Sequence, residues 1–314
     1  MIKIDLITGF LGSGKTTFIK KYAKYLIDSG ENICILENDF GAINVDMMLL
    51  SELIGDKCEL EMVSGGCDVD CHKRRFKTKL ISMGMCGYTR VIVEPSGIFD
   101  TDEFFDALKE DPLDRWYEIG SVITIVDSKI LDDELDINSK YLLASESANA
   151  GVVIISKQTD SSFNKLEIIN NSFKEIKCQR ILTDSDIISK PWNELSDIDF
   201  EKIKNAGYTN NTYEKIQSIE ENGFDSTFLM NKNLTKDILV SFSKELFDSN
   251  TYGNILRIKG FFKENDSWFE FNSTKNELSI NPIPEGQDVV IIIGNKLNKD
   301  LINKKFEAGQ FFSH

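Results

Sequence analysis

An apolar run, Ile2-Lys3-Ile4-Asp5-Leu6-Ile7, breaks off into Gly9-Phe10-Leu11-Gly12-Ser13-Gly14-Lys15-Thr16-Thr17, and an amphipathic stretch from Phe18 to Ile27 follows. The nine residues have the form G-x-x-x-x-G-K-[ST], in the strand–loop–helix setting that gives this pattern its meaning. Glycines let the backbone turn so that successive N–H groups converge on a phosphate chain, and the positive end of the next helix reinforces them. Gly9, Gly12, Ser13 and Gly14 then form the cradle, Lys15 reaches the β- and γ-phosphates, and the Thr16 hydroxyl ligates Mg²⁺ with Thr17 beside it. A chain that starts this way is expected to bind a nucleoside triphosphate.

Composition narrows the partners. The 314 residues allow one large or two ordinary domains, and a hydrophobic content of 41% suffices for a core. Lys and Arg total 36 against 51 Asp and Glu, a formal charge of −15. A phosphate-rich polymer is repelled by that field, so no nucleic-acid partner is expected. Residue 2 already begins a strand pattern and no apolar run approaches membrane-spanning length, so neither a leader nor a membrane partner is expected. Six cysteines in such a chain point to the reducing cytoplasm, as thiols or metal ligands rather than a disulfide framework.

Short apolar runs alternate with helical patterns through the first two-thirds. Strands are predicted at Ile2–Thr8, Ile33–Glu37, Glu59–Val63, Val91–Glu94, Ser121–Val126 and Val152–Ile155. Helices are predicted at Thr16–Asp28, Val45–Leu53, Lys73–Gly84, Thr101–Leu108 and Tyr141–Ala148. Near-continuous apolar strands separated by helices imply an α/β fold, a parallel sheet covered on both faces. Ligands collect at the carboxyl ends of such strands, where the glycine loop lies. From Thr183 to Asn233 the chain turns polar, read as a last helix near Trp192–Lys204 and a linker. A smaller α+β domain should follow, with a helix at Leu234–Phe247, strands at Asn254–Phe262, Trp268–Asn272 and Val289–Gly294, and a terminal helix from Lys299. The expected division is 1–205 and 212–314.

Four more segments align with the loop: Glu37-Asn38-Asp39-Phe40-Gly41, Gly65-Gly66-Cys67-Asp68-Val69-Asp70-Cys71-His72, Val93-Glu94-Pro95-Ser96-Gly97, and Tyr252-Gly253-Asn254-Ile255-Leu256-Arg257-Ile258-Lys259-Gly260. Together they resemble the CobW-like GTPases, P-loop metallochaperones related to the nickel-insertion GTPases of urease and hydrogenase maturation. The resemblance covers most of the chain, through both domains. It implies a Mg²⁺-dependent GTPase whose nucleotide state governs the holding or release of a transition metal, zinc or cobalt. A metalloprotein or corrinoid-protein client follows from the same resemblance, and homodimerisation is left open.

The resemblance also assigns residues. Asp39 falls where the family carries a switch acid, suited to ligating Mg²⁺ directly or through water. Glu94 takes the strand-end position of an acid that holds a Mg²⁺-bound water or orients the attacking one, and Gly97 offers an N–H to the γ-phosphate. The family's Cys-x-Cys-Cys is replaced here by Cys67-Asp68-Val69-Asp70-Cys71-His72. Cys67, Cys71 and His72 form a soft nitrogen–sulfur set for Zn²⁺ or Co²⁺; the alternative is ordinary thiols and a surface histidine. Asn-Lys-x-Asp, the family's guanine reader, is here Ser156-Lys157-Gln158-Thr159-Asp160. Lys157 can pack along the base and Asp160 can accept from guanine N1 and N2. Asp127 is read as structural, Cys34 and Cys178 as buried small hydrophobes. Arg257 and Lys259 resemble a basic pair of the family's second domain. Two other classes remain open: a P-loop ATPase or small-molecule kinase, and a nucleotide-gated adaptor that carries no metal.

Overall fold

The computed structural model describes residues 1–10, 12–39, 49–64, 69–95, 101–129, 131, 137–158, 164–215, 225–275 and 277–309. The chain divides into two compact units, Met1–Ile216 and Gln217–His314. Among the described residues no helix is long and apolar enough to cross a membrane.

The first unit is built on strands β1 (Ile2–Thr8), β2 (Ile33–Asp39), β3 (Cys58–Ser64), β4 (Arg90–Pro95), β5 (Tyr117–Asp127), β6 (Val152–Ser156) and β7 (Ile187–Ser189). They form one sheet in the order β3-β2-β4-β1-β5-β6-β7, and each neighbouring pair is parallel. Buried runs such as Arg90–Pro95 explain why these strands read as continuous rather than alternating: both faces are covered. On one face Ile7, Ile35, Ile92, Ile125 and Ile154 pack against Phe18, Tyr22 and Leu26 of helix α1 (Lys15–Asp28) and Phe200 and Ile203 farther along. On helix α2 (Val69–Met83), His72, Phe76, Leu80 and Met83 form a buried stripe at helical spacing. Tyr117 closes the far end of this helix by donating from its hydroxyl to Leu80 O at 2.7 Å. Helix α3 (Thr101–Leu108) coincides with its sequence-predicted span.

One buried charge shapes the sheet. Asp5 and Arg90 are both buried, and Arg90 Nη1 lies 2.6 Å from Asp5 Oδ1. Tyr22 donates its hydroxyl to Asp5 Oδ2 at 2.8 Å, and the Ser121 N–H donates to Oδ1 at 2.8 Å. That last bond replaces a ladder bond, and the β1–β5 register slips between Ile4 and Leu6. Gly120 permits it, because a Cβ there would sit 2.2 Å from Asp5 Oδ1.

Helix α4 (Ile137–Ala148) begins four residues before the predicted Tyr141, and helix α5 (Lys165–Glu175), capped by the Asn164 side chain, carries no strong sequence signal. Its buried side chains are Ile169, Ser172 and Phe173, too sparse a stripe to stand out among Asn and Ser. The polar stretch from Thr183 is not only helix and linker. It contains β7, and its helix, α6 (Asp197–Lys204), starts later than Trp192 because Ser196 and Asp199 form a capping box there. The predicted helix at Val45–Leu53 lies largely outside the described residues; Ser51–Leu53 is a 3₁₀ turn.

The second unit holds β8 (Asp225–Met230), β9 (Asn254–Glu264), β10 (Ser267–Ser273), β11 (Leu278–Ile283) and β12 (Val289–Asn295), in the order β11-β10-β9-β12-β8. All four pairings are antiparallel. Helices α7 (Lys236–Asp248) and α8 (Lys299–Gly309) place Leu239, Leu246, Ile302 and Phe306 in the cluster formed by Ile258, Phe262, Phe271, Val290 and Ile292. β8 and β11 escaped the sequence reading, β11 because its exposed pattern carries no buried alternation.

Candidate functional site: a phosphate loop beside two strand-end acids

The loop leaves the carboxyl end of β1 and enters α1 without a side-chain cap; Gly14 serves as N-cap at φ +100°. Gly9 is the tightest point. Its φ is +138°, and a Cβ would meet Ile125 O at 2.2 Å, so only glycine lets the loop cross β5 this closely. The Ser13 N–H donates to Phe10 O at 3.0 Å, and the Phe18 N–H donates to Gly14 O at 3.0 Å, closing the turn onto the helix. Lys15 is 8% exposed and folds across the loop, its Nζ donating to Gly9 O at 2.7 Å. Gly12 is half-buried, and a Cβ there would meet nothing within 4 Å among the described residues. Thr16 is half-buried and Thr17 exposed on the first turn of α1. Among the described residues nothing bonds the buried Ser13 Oγ, a polar atom fitted to an oxygen-rich ligand.

Acids collect one strand over. β2 and β4 pair in register Glu37↔Glu94, and both carboxyl side chains are buried, at 4% and 5% exposure. By strand alternation they point to the same face as Ile35 and Ile92, the face that α1 covers. β4 adjoins β1, so this pair stands beside the phosphate loop. Hard carboxylate and hydroxyl oxygens at one end of a sheet suit Mg²⁺. Glu37 was not singled out from sequence; only the register shows that it opposes Glu94. Asp39 closes β2. The Asn38 amide between them is 1% exposed, and among the described residues neither of its polar atoms has a partner.

Ser156 was noted as a departure from asparagine. In the structure its hydroxyl donates to Ser13 O at 2.6 Å and approaches Val126 O at 3.2 Å, tying the end of β6 to the phosphate loop. Lys157 follows at φ +47°, its Nζ 2.7 Å from Asp127 Oδ2. Asp127 also accepts the Lys129 N–H at 2.9 Å, so it orders this turn as well as ending β5.

Glu146 on α4 is a further residue that sequence reading missed. Its main-chain carbonyl accepts from the Thr124 hydroxyl at 2.8 Å, and Thr124 in turn meets the Thr8 hydroxyl at 2.8 Å. Burial pushes the Glu146 carboxyl up to about 8, opposed by the positive charge of Lys15. An acid on an otherwise small-residue helix, Ala144 to Ala148, was the available signal.

The metal candidates are partly placed. Cys71 is half-buried and His72 is 3% exposed, in the inward stripe of α2 rather than on the surface. Successive helix residues diverge by about 100°, so the two side chains leave the helix in different directions. Cys67, Gly97 and Asp160 lie outside the described residues. Among the described residues no three His, Cys, Asp or Glu side chains gather closely enough to hold a metal. Cys34, Cys58 and Cys178 are buried thiols, and burial pushes the Cys58 thiol up to about 11, away from thiolate reactivity. Arg257 donates from Nε to Asn272 Oδ1 at 2.8 Å, and Lys259 lies 3.8 Å from Glu270, both within the second sheet.

A lysine-closed glycine loop on the first strand of a parallel sheet, with acids at adjoining strand ends, defines a P-loop nucleotide-binding protein. The family is narrower still: residues 3–184 match the CobW/HypB/UreG nucleotide-binding domain, and residues 228–310 match the cobalamin synthesis protein cobW C-terminal domain. The chain belongs to this CobW/HypB/UreG family. It is similar to the zinc chaperone YeiR of Escherichia coli, 28% identical over 158 residues. That match takes in 50% of this chain and 47% of YeiR, so the chain spans about half of that relative's length. It is also similar to the zinc-regulated GTPase metalloprotein activator 1 of Schizosaccharomyces pombe, 23% identical over 360 residues, covering 95% of this chain and 83% of that one. A solved structure of Zn(II)-bound YjiA GTPase from E. coli is matched over 98% of each chain at 18% identity, with a TM-score of 0.39.

Proposed function

We propose that this protein is a GTP-hydrolysing metallochaperone that delivers a transition metal, zinc before cobalt, to a metalloprotein or corrinoid-protein client in the cytoplasm. The observation that carries the proposal is the phosphate loop, closed by Lys15, standing beside the Glu37–Glu94 pair. Lys15 exchanges its bonds to the loop carbonyls for the β- and γ-phosphate oxygens, and Thr16, Asp39 and Glu94 are the residues to hold Mg²⁺. Bound Mg²⁺ neutralises charge on the β- and γ-phosphates. Glu94 orients the attacking water, Gly97 offers its N–H to the γ-phosphate, and Lys157 and Asp160 take the guanine. Zinc is the metal named for the relatives, and it comes to this chain through Cys67, Cys71 and His72.

The helix geometry supports a reading in which that carriage depends on the nucleotide. Cys71 and His72 lie in the first turn of α2, which follows β3, the neighbour of β2. Joint ligation of one ion by both needs that turn to unwind, because its helical form sends them apart. Rearrangement around Asp39 on GTP binding is the step suited to unwind it. The second unit, Gln217–His314, is proposed to meet the client. An anaerobic competition titration of Zn²⁺ and Co²⁺, with and without a Mg²⁺-bound non-hydrolysable GTP analogue, tests this. One tight site whose affinity shifts with nucleotide and is lost in Cys71→Ser supports carriage. Nucleotide binding without any tight metal site would instead identify an adaptor, the reading that the inward His72 favours. A strong preference for ATP would overturn the GTPase assignment.

A further inference from the structure

Between α6 and Ile216, where the first unit ends, the chain is laid back across that unit. The Val122 N–H donates to Gly207 O at 2.9 Å, and the Gly207 N–H donates to the Ser121 hydroxyl at 3.2 Å. Gly151 makes room for this, since a Cβ there would lie 2.2 Å from Gly207 O. Tyr208 bridges Ala150, the Thr209 N–H donates to Asn149 O at 3.1 Å, and the Asn211 side chain donates to Ala148 O at 2.7 Å. Farther on, the Glu214 N–H donates to Ile176 O at 2.8 Å, just beyond α5. Bonds that mostly involve the main chain thus fix the segment to β5 and to the ends of α4 and α5.

Two side-chain contacts of another kind reach α3 from the same segment. The Tyr208 ring centroid lies 5.4 Å from that of Phe105, and Lys215 Nζ lies 3.0 Å from Asp102 Oδ2. Tyr208 and Lys215 are both exposed. Single ring pairs and exposed ion pairs are weak beside a run of backbone bonds. α3 is also the next labelled helix after β4: Pro95 ends the strand that carries Glu94, and Thr101 begins the helix. Among the described residues nothing bonds the buried Thr101 hydroxyl, which leaves the first turn of α3 with a polar group still to satisfy. α3 therefore connects at one end to a strand of the nucleotide site and rests on the segment 208–215 through weak contacts.

We propose that residues 208–215 are a strap on which α3 docks reversibly, and that undocking carries the nucleotide state to the chain leading into the second unit. This inference rests on the reading of Gly9–Thr17 and Glu94 as a nucleotide site. A γ-phosphate that draws the end of β4 towards the phosphate loop shifts the first turn of α3. The contacts of Tyr208 and Lys215 are the ones weak enough to yield, while the anchors on β5, α4 and α5 hold. Coupling is reciprocal, so contacts that favour docked α3 weaken triphosphate binding more than diphosphate binding.

Calorimetry on the full-length chain measures affinity for GDP and for a Mg²⁺-bound non-hydrolysable GTP analogue. Tyr208→Ala combined with Lys215→Ala should raise the preference for the analogue over GDP about fivefold or more. Tyr208→Phe keeps a ring against Phe105 and should leave the preference as it is in the unmodified chain. Hydrogen exchange supplies a second readout that a merely structural contact would not move. Amides of residues 213–216 should exchange faster with the analogue than with GDP in the unmodified chain, and equally fast with both in the double variant. A preference unchanged within about twofold in the double variant, with exchange at 213–216 the same for both nucleotides in the unmodified chain, would overturn this inference alone. Absence of any nucleotide binding by the unmodified chain would defeat the reading of the site and this inference with it.

Discussion

Glu146→Gln is expected to make this protein more stable as pH rises, relative to the unmodified chain. The carboxyl is 4% exposed, and burial lifts it from 4.5 to about 8 in the fold. A raised carboxylate holds its proton in the folded state over a range where the unfolded chain has already lost it. Stability contributed by the protonated acid is therefore full below pH 4.5 and is lost as pH climbs towards 8. At about 1.4 kcal/mol per unit, the interval corresponds to roughly 5 kcal/mol, most of it already lost at pH 7. Glutamine keeps the shape and carries no proton to lose. Urea unfolding of both proteins at pH 5, 6, 7, 8 and 9 reads the effect as a difference, which cancels every other titrating group. The two should be nearly equal at pH 5 and should diverge to several kcal/mol by pH 8. Because Lys15 opposes the upward shift, Lys15→Met should steepen the loss in a chain that retains Glu146. Parallel stability curves from pH 5 to 9, with a difference that changes by less than about 1 kcal/mol, would refute the argument and place Glu146 in wetter surroundings.

Three other outcomes are expected. Asp5→Ala strands the buried Arg90 guanidinium and should cost about 3–5 kcal/mol in urea unfolding, while leaving nucleotide affinity unchanged wherever the variant is folded. Gly9→Ala should weaken nucleotide binding about tenfold to a hundredfold, from ~1–3 kcal/mol of loop strain, with an unaltered far-ultraviolet dichroism spectrum. Ser156→Ala removes the hydroxyl that holds Ser13 O; calorimetry should show GDP affinity several-fold lower, from about 1 kcal/mol of lost hydrogen bonding.

Wherever local pattern and tertiary role coincide, the sequence was legible. Ile2–Thr8 and Thr101–Leu108 appear with their predicted bounds, because each element carries its own periodicity and its own punctuation. β7 and β8 did not announce themselves: three residues are too few to show a pattern, and β8 lies in a polar stretch. They become strands because neighbours supply the ladder. The same division runs through the site. Loop glycines and Lys15 were readable from one short segment, since a tight turn and a phosphate cradle are local demands on φ. Glu37 was legible as a residue and invisible as a partner of Glu94, 57 positions away in the chain and adjacent only in the β2–β4 register.

By itself, then, the sequence determined the parallel α/β layer, the phosphate loop and the family, all of which rest on short-range spacing. Tertiary structure alone decided that Glu37 faces Glu94, that Ser156 grips Ser13, and that Glu146 senses Lys15. It also turned His72 inward, in line with Phe76 and Leu80, where a linear reading grouped it with Cys71. The reason is physical. Torsional preference and hydrophobic period act over a few residues, whereas register, burial and the fate of a charge are settled by which surfaces pack together.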